Sequence, residues 1–374
     1  VSELEAAAAL APRLRAAADE TERARRLSAA LVHALVDAGV FRLCVPRALG
    51  GREVDPATMV RVLETLACAD GSAGWCAMIG ATSGVASAYL PDEAAREIYA
   101  DPGGITGGVY APQGRAHATG DGYRVTGRWA FASGCEHCTW LMGGCLLDDG
   151  RAERARLALF PAAEARIIDT WTVAGLRGTG SHDIAVEDLF VPAARTFSLV
   201  TDRPRHRGPL YAFPVFGLLA LGIAAVALGI ARAAVDELVR LAAGKRPSGS
   251  GRLLAERAVV QAEVAEAEAV LSSARAFVFD AIADASATAA AEKALDLRRR
   301  ARLRLAATHA TRSAARVVDR MYEAGGGTAV YASSPLQRHL RDVHVATQHA
   351  MVAPPTLELA GRVLLGRETD TAML

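Results

Sequence analysis

The spacing of apolar residues divides the chain into three zones. Up to about residue 100 the period is helical. Leu27, Leu31 and Leu35 recur at every fourth position, and Gly39 follows as a C-terminal cap. Asp55-Pro56 sets an N-cap and a first-turn proline ahead of Val60, Leu63 and Leu66, which line one face. Ser72 and Asp92 are further expected caps. Near Gly103-Gly104 the period falls to two. Tyr123, Val125, Trp129 and Phe131 alternate with Arg124, Thr126 and Arg128, the signature of a half-buried strand. Short strands are also predicted at Ile105 to Tyr110, Trp140 to Leu147, Leu157 to Phe160 and Ile184 to Val186. Gly120-Asp121-Gly122 and Asp148-Asp149-Gly150 supply turn chemistry, and Phe190-Val191-Pro192 closes the zone. From about Pro214 the helical period returns in two long segments, Leu253 to Ala285 and Ala289 to Glu323. Gly325-Gly326-Gly327 breaks the pattern. A shorter helix then runs through Arg341 to His349, stopped by Pro354-Pro355, and a last one covers Leu357 to Leu365.

This order predicts an α+β protein, mostly α. It has an N-terminal helical domain (1–103), a central antiparallel β domain (104–205; a small barrel or sandwich) and a C-terminal four-helix bundle (206–374). Leu210 to Ala231 is 22 residues without a charge, long enough to span a bilayer. Three glycines and many alanines dilute it, however, and Arg232, Asp236, Glu237 and Arg240 continue it with a polar face. A buried core helix is expected there, not a membrane span.

The composition narrows the functional classes. A chain of 374 residues, 51% hydrophobic and 22% charged, can bury a large core. Lys+Arg 42 against Asp+Glu 41 leaves a formal charge of +1, so no global field favours nucleic acid or acidic lipid. Six cysteines over this length are not a disulfide framework. The first fifteen residues carry acids and no long apolar run, so a cytoplasmic protein with reduced thiols is expected.

Few motifs carry chemistry on their own. Cys135-Glu136-His137-Cys138 lacks the second ligand pair a zinc site needs, so no metal is expected. A Walker loop, a Gly-x-Gly-x-x-Gly after a strand, a His-Glu-x-x-His and a Gly-x-Ser-x-Gly elbow are all absent. The strand ending in Ala132-Ser133-Gly134 offers a hydroxyl and a backbone N–H at a sheet edge. That is either a dock for a flat hydrogen-bonding ring or an ordinary strand end. Leu176 to Ser181 is a polar glycine-rich loop with the same two readings. In the last long motif His344 and Gln348 share a helix face, and His349 is rotated by about 100° from Gln348.

Taken together, four runs resemble the acyl-CoA dehydrogenase fold and, within it, the two-component flavin-dependent monooxygenases that hydroxylate phenols and related compounds. They are Gly71 to Trp75, Trp129 to His137, Gly175 to Asp183, and Arg341 to His344. The resemblance implies a reduced flavin, FMN or FAD, supplied by a separate NAD(P)H:flavin reductase. O2 is the co-substrate and reacts through a C4a-(hydro)peroxyflavin to hydroxylate an aromatic or polycyclic small molecule. Trp129, Phe131 and Ser133 would lie along the flavin, and Gly178, Thr179 and Ser181 would support the ring. Arg246, Gln261 and Gly325, Gly326 and Gly327 would line a flavin groove shared between subunits of a homotetramer. Ser133 and His349 are the expected catalytic residues, hydrogen-bonding the oxygen adduct or deprotonating a phenol. Trp75, Met78 and His344 are the expected substrate pocket.

Three alternatives remain at this level. An acyl-CoA dehydrogenase or oxidase would need a carboxylate base, yet after His349 no acid occurs until Glu358. N- or S-oxygenation on the same fold, or a non-catalytic scaffold, would leave the same helical and strand pattern.

Overall fold

The structure, a computed structural model, describes residues 2–148, 155–291 and 295–374. The Asp149-Gly150 part of the predicted turn lies outside the described residues. The chain opens with five helices: α1 (Glu3–Ala24), α2 (Ala29–Asp37), α3 (Pro56–Ala69), α4 (Gly71–Ser83) and α5 (Asp92–Tyr99). Asp55 caps α3 by accepting from the Thr58 N–H at 2.9 Å, with Pro56 at the first position as predicted. The cap of α4 is Asp70, not Ser72, which lies inside the first turn.

Seven strands follow: β1 (Thr106–Thr119), β2 (Gly122–Trp129), β3 (Trp140–Leu147), β4 (Ala155–Pro161), β5 (Arg166–Ile168), β6 (Asp183–Pro192) and β7 (Thr196–Phe197). They form one sheet in the order β5-β6-β2-β1-β3-β4-β7. The expected antiparallel domain is a mixed sheet, because β1 and β3 run parallel. The cause is topological. β2 returns along one edge of β1 as a hairpin, so the chain must cross the end of β1 before β3 can pair with its other edge. That crossing segment, residues 130–139, carries Ser133.

The β core is centred on Trp129, which is fully buried. Its Nε1 donates to the Gly144 carbonyl at 2.7 Å and its ring lies 6.0 Å from that of Phe160. Position 143 admits only glycine, since a Cβ there would stand 2.5 Å from the indole.

The remaining helices are α6 (Pro209–Ala212), α7 (Val215–Gly244), α8 (Ala258–Ala290), α9 (Leu297–Gly325), α10 (Pro335–Ala346) and α11 (Pro355–Leu364). The uncharged stretch identified in the sequence becomes α6, a break at Phe213-Pro214, and the first half of α7. α7 is long and apolar enough to cross a membrane, and the apolar part of it is buried inside the protein. Each fully buried Leu or Ile, such as Leu221, Leu228 and Ile230, contributes roughly 1.5–3 kcal/mol. The glycines that dilute its hydrophobicity are contact points. A Cβ at Gly229 would lie 2.4 Å from the Glu64 carbonyl of α3, and one at Gly222 would lie 2.8 Å from Met78 of α4. On α8 the buried positions Ala267, Leu271, Ala274, Val278, Ala281 and Ala285 step by four and three, so one face alone packs inward.

Replacing Trp129 by Phe removes the donor to Gly144 and some volume from the β core. The expected loss is about 2–4 kcal/mol, read from urea denaturation.

Candidate active site

Ser133 is buried where three segments meet: the crossing segment after β2, the loop between β5 and β6, and α4. Two backbone bonds clamp the first two together, Ala132 N–H to the His182 carbonyl (3.0 Å) and Gly134 N–H to the Thr179 carbonyl (2.8 Å). Trp75 of α4 donates its Nε1–H to Ser133 Oγ at 3.0 Å. From Ser133 a row of hydroxyls continues, 2.7 Å to Ser181 Oγ and 2.6 Å to Thr179 Oγ1, ending 2.8 Å from the Leu176 carbonyl.

The carbonyl at the end fixes where every proton lies. It can only accept, so Thr179 donates to it, Ser181 donates to Thr179, and Ser133 donates to Ser181. Ser133 already accepts from Trp75. Its O–H is therefore committed, and one acceptor lone pair remains for anything that docks against it.

His349 lies three residues beyond α10, with its ring 5.9 Å from that of Trp75. Trp75 thus touches both predicted catalytic residues. His349 Nδ1 accepts the Met351 N–H at 3.2 Å, which puts the ring proton on Nε2. Burial, and secondarily the Arg304 cation, push its pKa down to about 4, so the imidazole is neutral at physiological pH. Its free nitrogen is consequently an N–H donor. This geometry suits hydrogen-bonding an oxygen and disfavours the alternative role of phenol deprotonation.

Three expected site residues are elsewhere. Trp129 has its indole sealed inside the sheet and cannot lie along a ring in a cleft. Met78 is buried between α4 and α7, against Gly222 and Thr82, because α7 approaches too closely to leave a pocket there. His344 is on the outer face of α10, 50% exposed, with Nε2 2.7 Å from Asp319, since three residues of helix turn it away from the side that leads to His349. Gly178 belongs to the predicted loop, but its missing side chain serves packing: a Cβ would meet Thr21 at 2.3 Å and Ser72 at 3.0 Å. Phe131 stands beside Ser133 and is 69% exposed, in a left-handed conformation (φ 67°) with its edge toward Trp171.

Of the other expected cofactor residues, Arg246, Gly326 and Gly327 line a second feature, and Gln261 and Gly325 are outside its lining. A groove of about 730 Å³ is lined by Lys245, Arg246, Arg257 and Arg320, with Gly326, Gly327 and Tyr331. A Cβ at Gly327 would meet nothing within 4 Å, and Lys245 donates to the Gly325 carbonyl at 2.5 Å. Glu263 and Glu323 also border the groove, so cations outnumber acids by four to two. Gln261, near the start of α8, is exposed and donates to the Ala255 carbonyl at 3.0 Å. A flavin fits these two features by donor chemistry, a cationic groove for phosphate and an acceptor hydroxyl for the ring. Between the crossing segment and α1–α2 a further cleft of about 590 Å³ opens beside Gly134, His137 and Thr179. The Cys135 and Cys138 thiols are held protonated by burial, Cys135 with its pKa raised to about 12.

Two residues of the site were not anticipated. Arg304 of α9 is 3% exposed and donates to the Met351 carbonyl at 3.0 Å, which braces the turn bearing His349. Its signal was an arginine in the apolar stripe formed with Ala307, Thr311 and Ala314. Asp342 accepts the Leu176 N–H at 2.6 Å, and it lay in plain view within a motif noted for other reasons.

Comparison with known proteins identifies the relatives of this chain. The N-terminal domain of acyl-CoA dehydrogenase matches residues 4–98, and its C-terminal domain matches residues 221–354. The chain is 38% identical to an indole-3-acetate monooxygenase of Pseudomonas putida, over 95% of this chain and 91% of the relative. It is 32% identical to the flavin-dependent monooxygenase oxygenase subunit HsaA of Rhodococcus jostii, over 92% of this chain and 93% of that one. Among solved structures it superposes on XiaF from a Streptomyces species, in complex with FADH2 and glycerol, with a TM-score of 0.91 at 27% identity, covering 98% and 95% of the two chains.

By NMR, the His349 ring is expected to titrate near pH 4, well below a free histidine. The unfolded chain takes that proton near pH 6.5. The group therefore removes stability as pH falls from about 6.5 to about 4.

Proposed function

The chain belongs to the acyl-CoA dehydrogenase family as one of its flavin-dependent monooxygenases, and we propose that it is the oxygenase component of a two-component system. It takes reduced FMN or FAD from a separate NAD(P)H:flavin reductase and uses O2 to hydroxylate an aromatic small molecule. When bound, the reduced flavin supplies the two electrons that activate O2.

What supports this reading is the proton order at Ser133. A reduced flavin carries an N–H on its central ring where the oxidised form has a bare nitrogen acceptor. An acceptor-only Ser133 favours the reduced form, as an enzyme fed with reduced flavin requires. His349, neutral and buried, presents Nε2–H as a donor for an oxygen while bringing no mobile proton of its own. The apolar surround of Trp75 limits water, which would otherwise divert activated oxygen to H2O2.

The cleft beside Gly134 and Thr179 has room for a one- or two-ring aromatic. The cationic groove is built from the α7–α8 connection and the end of α9, separate elements from those that hold Ser133. A homotetramer, in which a neighbouring copy supplies that groove to each ring site, accommodates both ends of the cofactor. Six unbonded thiols suit a cytoplasmic setting.

His349→Ala is expected to retain flavin binding while product per reduced flavin falls by about 10²-fold and H2O2 rises. Unchanged product yield would remove His349 from the scheme. Ser181→Ala releases the Ser133 proton for donation. The preference for reduced over oxidised flavin should then drop by about tenfold in paired equilibrium titrations.

A further inference from the structure

Leu176 is the terminus of the hydroxyl row, and its backbone is unusual. It adopts the left-handed conformation (φ 49°) without being glycine, which costs on the order of 1 kcal/mol. Its carbonyl accepts from Thr179 Oγ1 and from the Trp171 indole at 3.1 Å. Its N–H is held by Asp342 at 2.6 Å. The loop also presses on α10 next door: a Cβ at Gly175 would lie 2.2 Å from the Arg341 carbonyl. Asp342 is 4% exposed and Asp70, the cap of α4, is 5% exposed. Gly71, which follows Asp70 in the chain, packs against Asp342: a Cβ there would stand 3.2 Å from Asp342 Oδ2.

We infer that Asp342 is the positioning residue that holds Leu176 in place and thereby sets the proton order that ends at Ser133. No other side chain is bonded to the Leu176 N–H among the described residues. Losing that anchor would let the strained peptide relax and turn its carbonyl away from Thr179. The Ser133 proton would then be free to point at a ligand.

The surroundings explain why both carboxyls hold their protons. α1 brings Asp19 and Glu22, α4 brings Asp70, and α10 brings Arg338, Arg341 and Asp342. α7 contributes only the apolar Ile230 beside Gly71, and the loop itself carries Arg177. Arg338 pairs with Asp19 and Glu22, and Arg341 pairs with Glu22 at 2.6 Å, so both cations are already engaged by α1. Neither carboxylate has a salt-bridge partner of its own among the described residues. Burial raises Asp342 to about 7 and Asp70 to about 6, and the charges of Asp70 and Glu22 add to the rise of Asp342. In the unfolded chain both would ionise near 3.9. With folded values raised, the junction is tightest below about pH 4 and loosens progressively as pH rises to about 7.

The test uses the full-length, flavin-free protein and follows hydrogen exchange of the peptide covering residues 172–182 against pH, corrected for intrinsic exchange. In the wild type, exchange should accelerate by up to about tenfold per pH unit between about pH 4 and 7 and level off above that. Asp70→Asn keeps the helix cap and removes the repelling charge. Asp342→Asn keeps an acceptor for Leu176. Asp342→Asn should abolish the acceleration, whereas Asp70→Asn, which leaves Asp342 buried, should end it at a lower pH. Asp342→Ala should exchange fast at every pH. A flat wild-type profile, or an Asp342→Asn profile that still accelerates, overturns the inference.

The link to Ser133 rests on the monooxygenase reading and is tested separately, by the affinity for oxidised FMN across the same range. Release of the Ser133 proton should tighten that affinity as pH rises in the wild type and leave it flat in Asp342→Asn. Exchange that behaves as expected beside an FMN affinity that ignores pH confirms the anchor and rejects the loop as a cofactor wall.

Discussion

A single carbonyl oxygen governs the chemistry of this site. Hydroxyl groups are ambivalent, each able to give or take a proton, and a row of three would ordinarily sample both directions. Ending the row on Leu176, which can only accept, removes that freedom. Beginning it on the Trp75 indole, which can only donate, removes it from the other side. The row joins α4 to the loop before β6 and to the segment that crosses the end of β1. The same bonds that fix the protons therefore also fix three separate pieces of chain relative to one another.

Much of this architecture is legible in the sequence. Alternation over Tyr123 to Phe131 locates β2, and the glycine triplet after α9 locates the end of the long helix, because local periodicity is imposed by burial of one face. Mixed strand direction is not legible, since it depends on which edge of β1 the later strand reaches. Nor is the difference between Trp129 and Phe131. The two share a strand face by alternation, but the chain leaves strand geometry after Trp129. Phe131 takes a positive φ and swings outward while Trp129 turns into the sheet. His344 and His349 show the same limit on a helix: spacing gives their relative angle but not which side faces the centre. The pairing of Ser133 with Ser181 and Thr179 links residues nearly fifty apart, and only the resemblance in motif order pointed to it.

Buried charge is arranged economically around the site. Arg304 braces the turn that bears His349 and at the same time lowers that ring's proton affinity, so one cation serves geometry and electrostatics together. Its Nε finds no partner among the described residues, a cost that a purely structural arginine would rarely carry. Cation and imidazole meet where α9 packs against the turn after α10, while Arg232, Arg302 and Arg320 pair with acids instead.

The sheet ends in stubs of three and two residues, β5 and β7. An edge that short offers almost no row of free N–H and C=O groups for a foreign strand to zip onto. Growth by strand addition is closed off at both sides, which protects the molecule from amyloid-like stacking. Any contact with another chain is thereby left to side chains and not to the repeating backbone.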